Sequence, residues 1–416
     1  MSKIVFITTL PLWSMEKGRG GPAFTQTVKK YIDEGWEVFL ISDEPSNADY
    51  TGLDAGHNIV LQPSRFKKYG QIQKLGLLFR WLDGQVMTRA FCRRAQSLLA
   101  SNREDTILYA YEVFGVEACR RLAAKYNLPF VTRFQGTILS QYRNTMANHI
   151  RRYPHYQALA QRADLVIMTD DGTQGDRILR ELHNQSPRIC FWHNGLELME
   201  RDIPAMQAGF DRDAFRKSLG VDENETMFLT VSRLTEWKKV ERAIDGFAEC
   251  IKKAPNSKLV IVGDGDCRQA LELRAKELGV EDRIVFTGAV PHDAVYHYMM
   301  ACDVFVSLYD LSNVGNPLLE AMTLSKCIVT LDVGDTKTLI RNRENAILMT
   351  YDTLPTLGDV FAELAQDPAL RKQLGDAAGA YARENFWSWT DRMHAEFQAV
   401  SGLLAKSAEH AKEERR

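Results

Sequence analysis

Apolar residues in this chain come in short, unbroken runs. In the first half they fall at residues 3–10, 37–43, 58–61, 106–111, 130–134, 165–169 and 189–193. In the second half they fall at 227–233, 259–263, 284–287, 304–308, 327–331 and 346–350. The runs are continuously apolar rather than alternating, the pattern of parallel strands covered on both faces. The segments between them suit crossover helices. Residues 22–34 are an example, with Pro22 in the first turn and Gly35 just past the end. Repeated strand–helix alternation predicts an α/β protein of two doubly wound, Rossmann-like parallel-sheet domains. Residues 198–215 have no strand pattern, several charges and a proline, and the chain restarts with a strand at 225–233. The expected division is therefore 1–205 and 206–386, followed by a helical segment, 387–416.

Composition changes this picture little. Of 416 residues, 45% are apolar and 25% charged, as in ordinary globular proteins. The net charge of −2 argues against a nucleic-acid binder. No run of about 18 uncharged apolar residues is present, so no membrane-spanning helix is expected. The first residues enter a strand pattern directly, without a signal-peptide cleavage site, which predicts a cytoplasmic protein. The seven cysteines are widely spaced with no C-x-x-C pair, and read as buried, reduced thiols. The nine histidines form no short metal pattern, so no metal is expected.

The charge is unevenly spread: residues 1–200 carry +5 and the remainder −7. Residues 65–94 hold eight basic side chains (Arg65, Lys67, Lys68, Lys74, Arg80, Arg89, Arg93, Arg94) against one acid, Asp83. Aromatic and aliphatic residues, among them Phe66, Tyr69, Leu77, Leu78, Phe79 and Trp81, are interleaved with them. Such a segment suits an anionic membrane surface or an anionic acceptor, or is simply a solvated helix face.

Three glycine turns stand between predicted strands and helices: Gly18 to Pro22 with Gly20 and Gly21, Gly263 to Gly265, and Val314 to Glu320. Open α/β sheets bind ligands at such strand ends, where glycine admits a close approach and helix amides favour anions. In the third turn Asn316 reads as an N-cap with Pro317 first in the helix, which would leave the amides of Leu318 and Leu319 facing the loop. Asp264-Gly265-Asp266 spells D-x-D, but in a strand-to-helix turn it reads as capping. Arg233 and Lys238 follow a strand and can hold a diphosphate, one as a fork and one as a point charge. Glu320, in the first turn of a helix, can accept hydrogen bonds from a ribose diol or merely suit the helix dipole.

At these residues the chain resembles the GT-B glycosyltransferases, and most closely glycosyltransferase family four, the group 1 enzymes. The segments that carry the likeness are 228–234 with Lys238, 259–265, 285–291, 301–307 and 317–322, joined by Gly20-Gly21 and His193-Asn194-Gly195. The resemblance implies two domains facing across a cleft, with the C-terminal helix crossing back to the N-terminal, acceptor-binding domain. It implies a retaining transfer of a hexosyl unit from a nucleotide sugar, UDP-linked by preference, to a surface-glycan or lipid-linked hydroxyl, without a metal. Arg233 and Lys238 would neutralise the diphosphate and Glu320 would bind the ribose. Gly20, Gly21, Gly263, Ser312, Asn313, Gly315, Asn316, Leu318 and Leu319 would face the donor, and Ala289 and Val290 would meet its base through backbone groups. Two positions depart from the family pattern. Ser312 stands where its first acid belongs, with Asp310 as a substitute, and Gln135 stands where many relatives have histidine, against the donor sugar or the acceptor. A weak nucleotide-sugar-binding protein and a nucleotide-sugar epimerase are the alternative readings.

Overall fold

The computed structural model describes residues 1–9, 23–43, 53, 54, 56–70, 75–100, 103 and 105–413, with side chains to 405. Strands form at all thirteen of the predicted runs, and they sort into two compact units.

The first unit comprises residues 1–170, 174–194 and 390–416. Its strands are β1 (Lys3–Ile7), β2 (Glu37–Ser42), β3 (Asn58–Val60), β4 (Thr106–Tyr111), β5 (Phe130–Phe134), β6 (Leu165–Thr169) and β7 (Ile189–Trp192). They pair in parallel in the order β3-β2-β1-β4-β5-β6-β7. One face packs against the helices Gly76–Leu99 and Val116–Tyr126, through Phe91, Ala95, Cys119 and Leu122. The other packs against the helices Ala23–Asp33 and Trp389–Glu413. Phe24 and Tyr31 come from the earlier of these helices, Ala399 and Val400 from the later. Burial on both faces is why these strands read as unbroken apolar runs.

The second unit comprises residues 171–173 and 195–389. Its strands are β8 (Thr226–Val231), β9 (Ser257–Val262), β10 (Ile284–Gly288), β11 (Val304–Ser307), β12 (Cys327–Leu331) and β13 (Ile347–Met349), in the parallel order β10-β9-β8-β11-β12-β13. The division falls at Asn194/Gly195, before the expected 205. The physical reason is burial: Leu196 and Leu198 are 1% exposed in the second unit's core. The Leu196 amide donates to the carbonyl of Trp387 at 2.9 Å, and a Cβ on Gly195 would stand 2.5 Å from the Trp389 Cα.

Both sheets reverse strand order once, between β1 and β4 and between β8 and β11. A crevice opens at such a switch point, outside the carboxyl ends of the strands, and ligands of open α/β sheets bind there.

Candidate active site at the second switch point

β8 ends at Val231 rather than at 233, which releases Ser232 and Arg233 into the loop above the sheet. The loop then makes a single 3-10 turn, Glu236–Lys238. Its closing residue, Lys238, lies between two aromatic faces, with Nζ 4.0 Å from the Trp237 ring centre and 3.8 Å from that of Tyr309. Tyr309 is itself fixed, donating from its hydroxyl to the Val231 carbonyl at 3.0 Å. The Asp310 amide donates to the Trp237 carbonyl at 3.0 Å and ties the loop after β11 to the loop after β8.

Lys238 makes no ion pair among the described residues, and neither does Arg233. Burial, with Arg233 adding repulsion, pulls the Lys238 ammonium down to about 7. Two neighbouring cations without a counter-ion at a sheet switch point form a site for an anion.

The glycines of the next loop set how closely the backbone can pack. Gly263 has φ +134°, and a Cβ there would lie 1.8 Å from the Ser232 carbonyl oxygen. Gly265 has φ +156°, and its Cβ would lie 2.5 Å from the Leu234 carbonyl oxygen. Only glycine lets the turn after β9 lie on the Arg233 loop, where the Leu234 amide donates to the Asp264 carbonyl at 2.9 Å. Asp264 accepts from the Gly265 amide at 2.8 Å and pairs with Arg268 at 3.4 Å, so this aspartate of the D-x-D sequence serves the turn. Beyond β10, Ala289 is exposed and Val290 half-buried, and neither makes a backbone hydrogen bond among the described residues.

The loop after β11 corrects several expectations. Asn313 does not face a ligand. It is 1% exposed, accepts from the Tyr309 amide at 3.1 Å and donates to the carbonyls of Leu331 at 3.0 Å and Tyr309 at 3.4 Å. Its amide holds the loop's shape. The hydroxyl of Ser312 is also committed, donating to the Asp171 carbonyl and accepting from the Val314 amide at 3.1 Å. The carboxylate of Asp310 is held by Arg242 at 2.6 Å and Tyr351 at 3.3 Å. The helix Asn316–Thr323 starts one residue earlier than expected, with Gly315 in extended conformation as its N-cap. The amides of Leu318 and Leu319 therefore donate to the Gly315 carbonyl, at 3.0 and 3.2 Å, instead of facing the loop.

Glu320 lies within that helix, its side chain 4% exposed. Its Oε1 pairs with His292 Nε2 at 3.1 Å. His292 opens the helix after β10, and the hydrogen bond to Glu320 raises its pKa. No sequence pattern marks this histidine, nor Tyr309, because each reaches the site across the fold. One His–acid group among the described residues, Glu197, His292 and Asp293, has ligand atoms within 4.8 Å of one another. Arg201 donates to both of its carboxylates and Glu320 engages its imidazole, so the group is already internally paired.

In the first unit, Gln135 follows β5 and both ends of its amide are engaged. Nε2 donates to the Tyr111 hydroxyl, and Oε1 accepts from Thr169 at 3.3 Å and Asn194 at 3.4 Å. Gly20 and Gly21 lie outside the described residues, as does Lys74.

Residues 211–380 match the family model described as glycosyl transferases group 1. That segment, most of the second unit, is similar to the group 1 glycosyl transferases. Among its relatives are the α-D-kanosaminyltransferase of Streptomyces kanamyceticus, 25% identical over 60% of this chain and 65% of that protein. Another is the N-acetyl-α-D-glucosaminyl L-malate synthase of Bacillus anthracis, 26% identical over 43% and 46%. The chain thus spans between about a quarter and two thirds of the curated relatives it matches. Among solved structures, HepE of Anabaena in complex with UDP superimposes with a TM-score of 0.69 at 18% identity, over 97% of this chain and all of that one. Sucrose-phosphate synthase of Thermosynechococcus elongatus gives 0.73 at 19%, over 98% and 100%. These likenesses establish the GT-B fold.

Proposed function

We propose that this chain is a group 1 glycosyl transferase that moves a hexosyl unit from a nucleoside-diphosphate sugar to an acceptor hydroxyl, with retention of anomeric configuration. The observation that carries the reading is the Lys238 ammonium, held between Trp237 and Tyr309 beside Arg233 with no counter-ion among the described residues. A diphosphate supplies that counter-ion. As the glycosidic bond breaks, negative charge grows on the leaving phosphate, and two pre-placed cations stabilise it without reorganising. This reading assigns the electrostatic work to Arg233 and Lys238 and needs no metal. Glu320, oriented by His292, accepts from the donor ribose through its other oxygen, and the backbone at Ala289 and Val290 meets the base. Gly263, Gly315 and Asn316 border the phosphates and the sugar. UDP is the preferred nucleotide, supported by a structural neighbour solved with UDP and with UDP and glucose.

Incubation with labelled UDP-, GDP- and ADP-sugars tests the reading through release of nucleoside diphosphate and transfer to added acceptors. Binding without turnover would favour instead a nucleotide-sugar-binding protein. The committed hydroxyl of Ser312 favours that second reading, because it leaves no acid where the family pattern has one.

The helix Gly76–Leu99 supports a membrane-bound acceptor. Leu78 is 51% and Trp81 45% exposed, with Leu75 and Leu77 beside them and Arg80 between. No helix among the described residues is long and apolar enough to cross a membrane. We place this face on an anionic bilayer at the cytoplasmic side, with a lipid-linked or surface-glycan acceptor. Co-sedimentation with phosphatidylglycerol vesicles at low salt is expected for the parent and lost in Trp81→Glu. No sedimentation of the parent rejects the membrane contact.

A further inference from the structure

The first sheet has its own switch point, between β1 and β4, and a cavity of about 240 Å³ lies there. Thr9, Asp43 and Val113 line it from strand ends, and Asp83 and Phe91 line it from the helix Gly76–Leu99. It is smaller than the roughly 300–1,000 Å³ of pockets that hold drug-sized ligands, and suits one ring.

Its polar wall is unusual. The Asp43 side chain is 4% exposed; Oδ2 accepts from Lys67 Nζ at 3.0 Å, while Oδ1 is buried with no partner among the described residues. Asp83 takes a hydrogen bond from Ser64, and its Oδ1 is likewise buried and unpartnered. One lysine thus pairs with Asp43 and acts on Asp83 only through its charge, and each carboxylate keeps an oxygen that lacks a donor among the described residues. Buried acceptors are rarely left so, since each costs about 1–3 kcal/mol. Ionised carboxylates only accept, so what completes them must donate. Met87, Phe91 and Val113 add apolar surface to the lining. Apolar lining together with unsatisfied acceptors matches a saturated ring whose adjacent substituents are hydroxyl or ammonium groups.

We propose that this cavity binds a single polyhydroxylated ring, neutral or amine-bearing, through donors to Asp43 and Asp83, and that it rejects anionic rings. The uncompensated carboxylate repels a phosphate or carboxylate substituent, and Lys67 is already engaged by Asp43. On the function proposed above, which this inference rests on and deepens, the occupant is the ring that accepts the sugar. The helix Gly76–Leu99 serves both roles, with Trp81 exposed to solvent and Asp83 lining the cavity.

Saturation-transfer NMR on the full chain tests this, with myo-inositol, glucose and glucosamine against glucuronate and glucose 6-phosphate, and a UDP titration in parallel. The three neutral or amine-bearing rings should receive saturation and the two anions should not. Asp83→Asn should lower occupancy about tenfold while leaving UDP binding unchanged and the melting temperature no lower. Thr88→Leu, which fills part of the cavity without touching either acid, should do the same and stands in if the first variant fails to fold. Absence of any ring signal, equal signals from the anions, or unchanged binding in both variants overturns the inference. UDP binding without ring binding refutes the cavity alone; ring binding without binding of any nucleoside diphosphate refutes the donor reading and leaves the cavity.

Discussion

Replacing Lys238 by methionine should strengthen the fold and weaken nucleotide binding together. Methionine keeps an unbranched chain between Trp237 and Tyr309 and removes only the charge. A lysine that loses its proton near 7 rather than at the ordinary 10.5 holds its charge in the folded state at a cost. At about 1.4 kcal/mol per pH unit of difference, that cost is at most about 5 kcal/mol, and partial exposure to water reduces it to about 2 kcal/mol. For a unit of this size, 2 kcal/mol raises the melting temperature by about 4–8 °C. The sign follows from the depressed value. The folded state disfavours the protonated form, so the penalty is full below pH 7, shrinks between 7 and 10.5, and is absent above. Calorimetric melting of parent and Lys238→Met at pH 6.5 and pH 9 should show the variant more stable at both, with the larger gap at 6.5. UDP at about a hundred times its Kd should add about 2.7 kcal/mol to the parent and much less to the variant. UDP affinity of the parent should fall as pH rises above 7, because a bound diphosphate needs the ammonium. A variant no more stable than the parent at pH 6.5, or one that binds UDP equally well, would refute the account of a poised cation.

Three further outcomes follow from the geometry. Glu320→Ala should weaken nucleotide binding at least tenfold by calorimetry, and His292→Asn, which only loosens the carboxylate, about three- to fivefold; equal losses would assign His292 a direct contact. Glu396→Gln should destabilise the first unit by about 3 kcal/mol in urea unfolding, because Arg133 and Arg392, both fully buried, would lose their shared counter-charge. Chelation with EDTA should leave sugar transfer unchanged within a factor of two, and a loss restored by added divalent ion would move the electrostatic work from Lys238 to a metal.

The architecture was legible because parallel strands buried on both faces cannot alternate, so each announces itself as an apolar run. Chain ends of strands were less legible: β8 stops two residues short because Ser232 and Arg233 leave the sheet to meet the turn at Gly263. Arg233, Lys238 and Glu320 could be picked out because charge at a strand end or in an apolar helix is conspicuous. Asn313 misled for the opposite reason: an amide that braces a loop and an amide that binds a sugar are the same residue in a sequence. Ser312 misled similarly, its partner Asp171 being distant in the chain. The Asn316 cap was displaced by one because Gly315, extended and without a side chain, accepts the first helical bonds through its own carbonyl. The carboxylates at the first switch point were invisible as a pair, since Asp43 and Asp83 come from different elements and meet only through the fold.

The helix Trp389–Glu413 has a consequence for how the protein is made. Glu396 on it accepts from Arg133 and Arg392, and from the Tyr109 hydroxyl at 2.5 Å, while Phe397 packs 5.6 Å from Tyr31. Arg133 is synthesised long before Glu396, so the first unit emerges from the ribosome with an uncompensated cation in its interior and one sheet face covered only in part, by the helix Ala23–Asp33. The second unit, continuous from 195 to 389 apart from three residues made earlier, has all it needs sooner. Vectorial synthesis therefore favours completion of the middle of the chain before its beginning, and a nascent chain stalled before residue 396 should present the second unit folded and the first still open to protease.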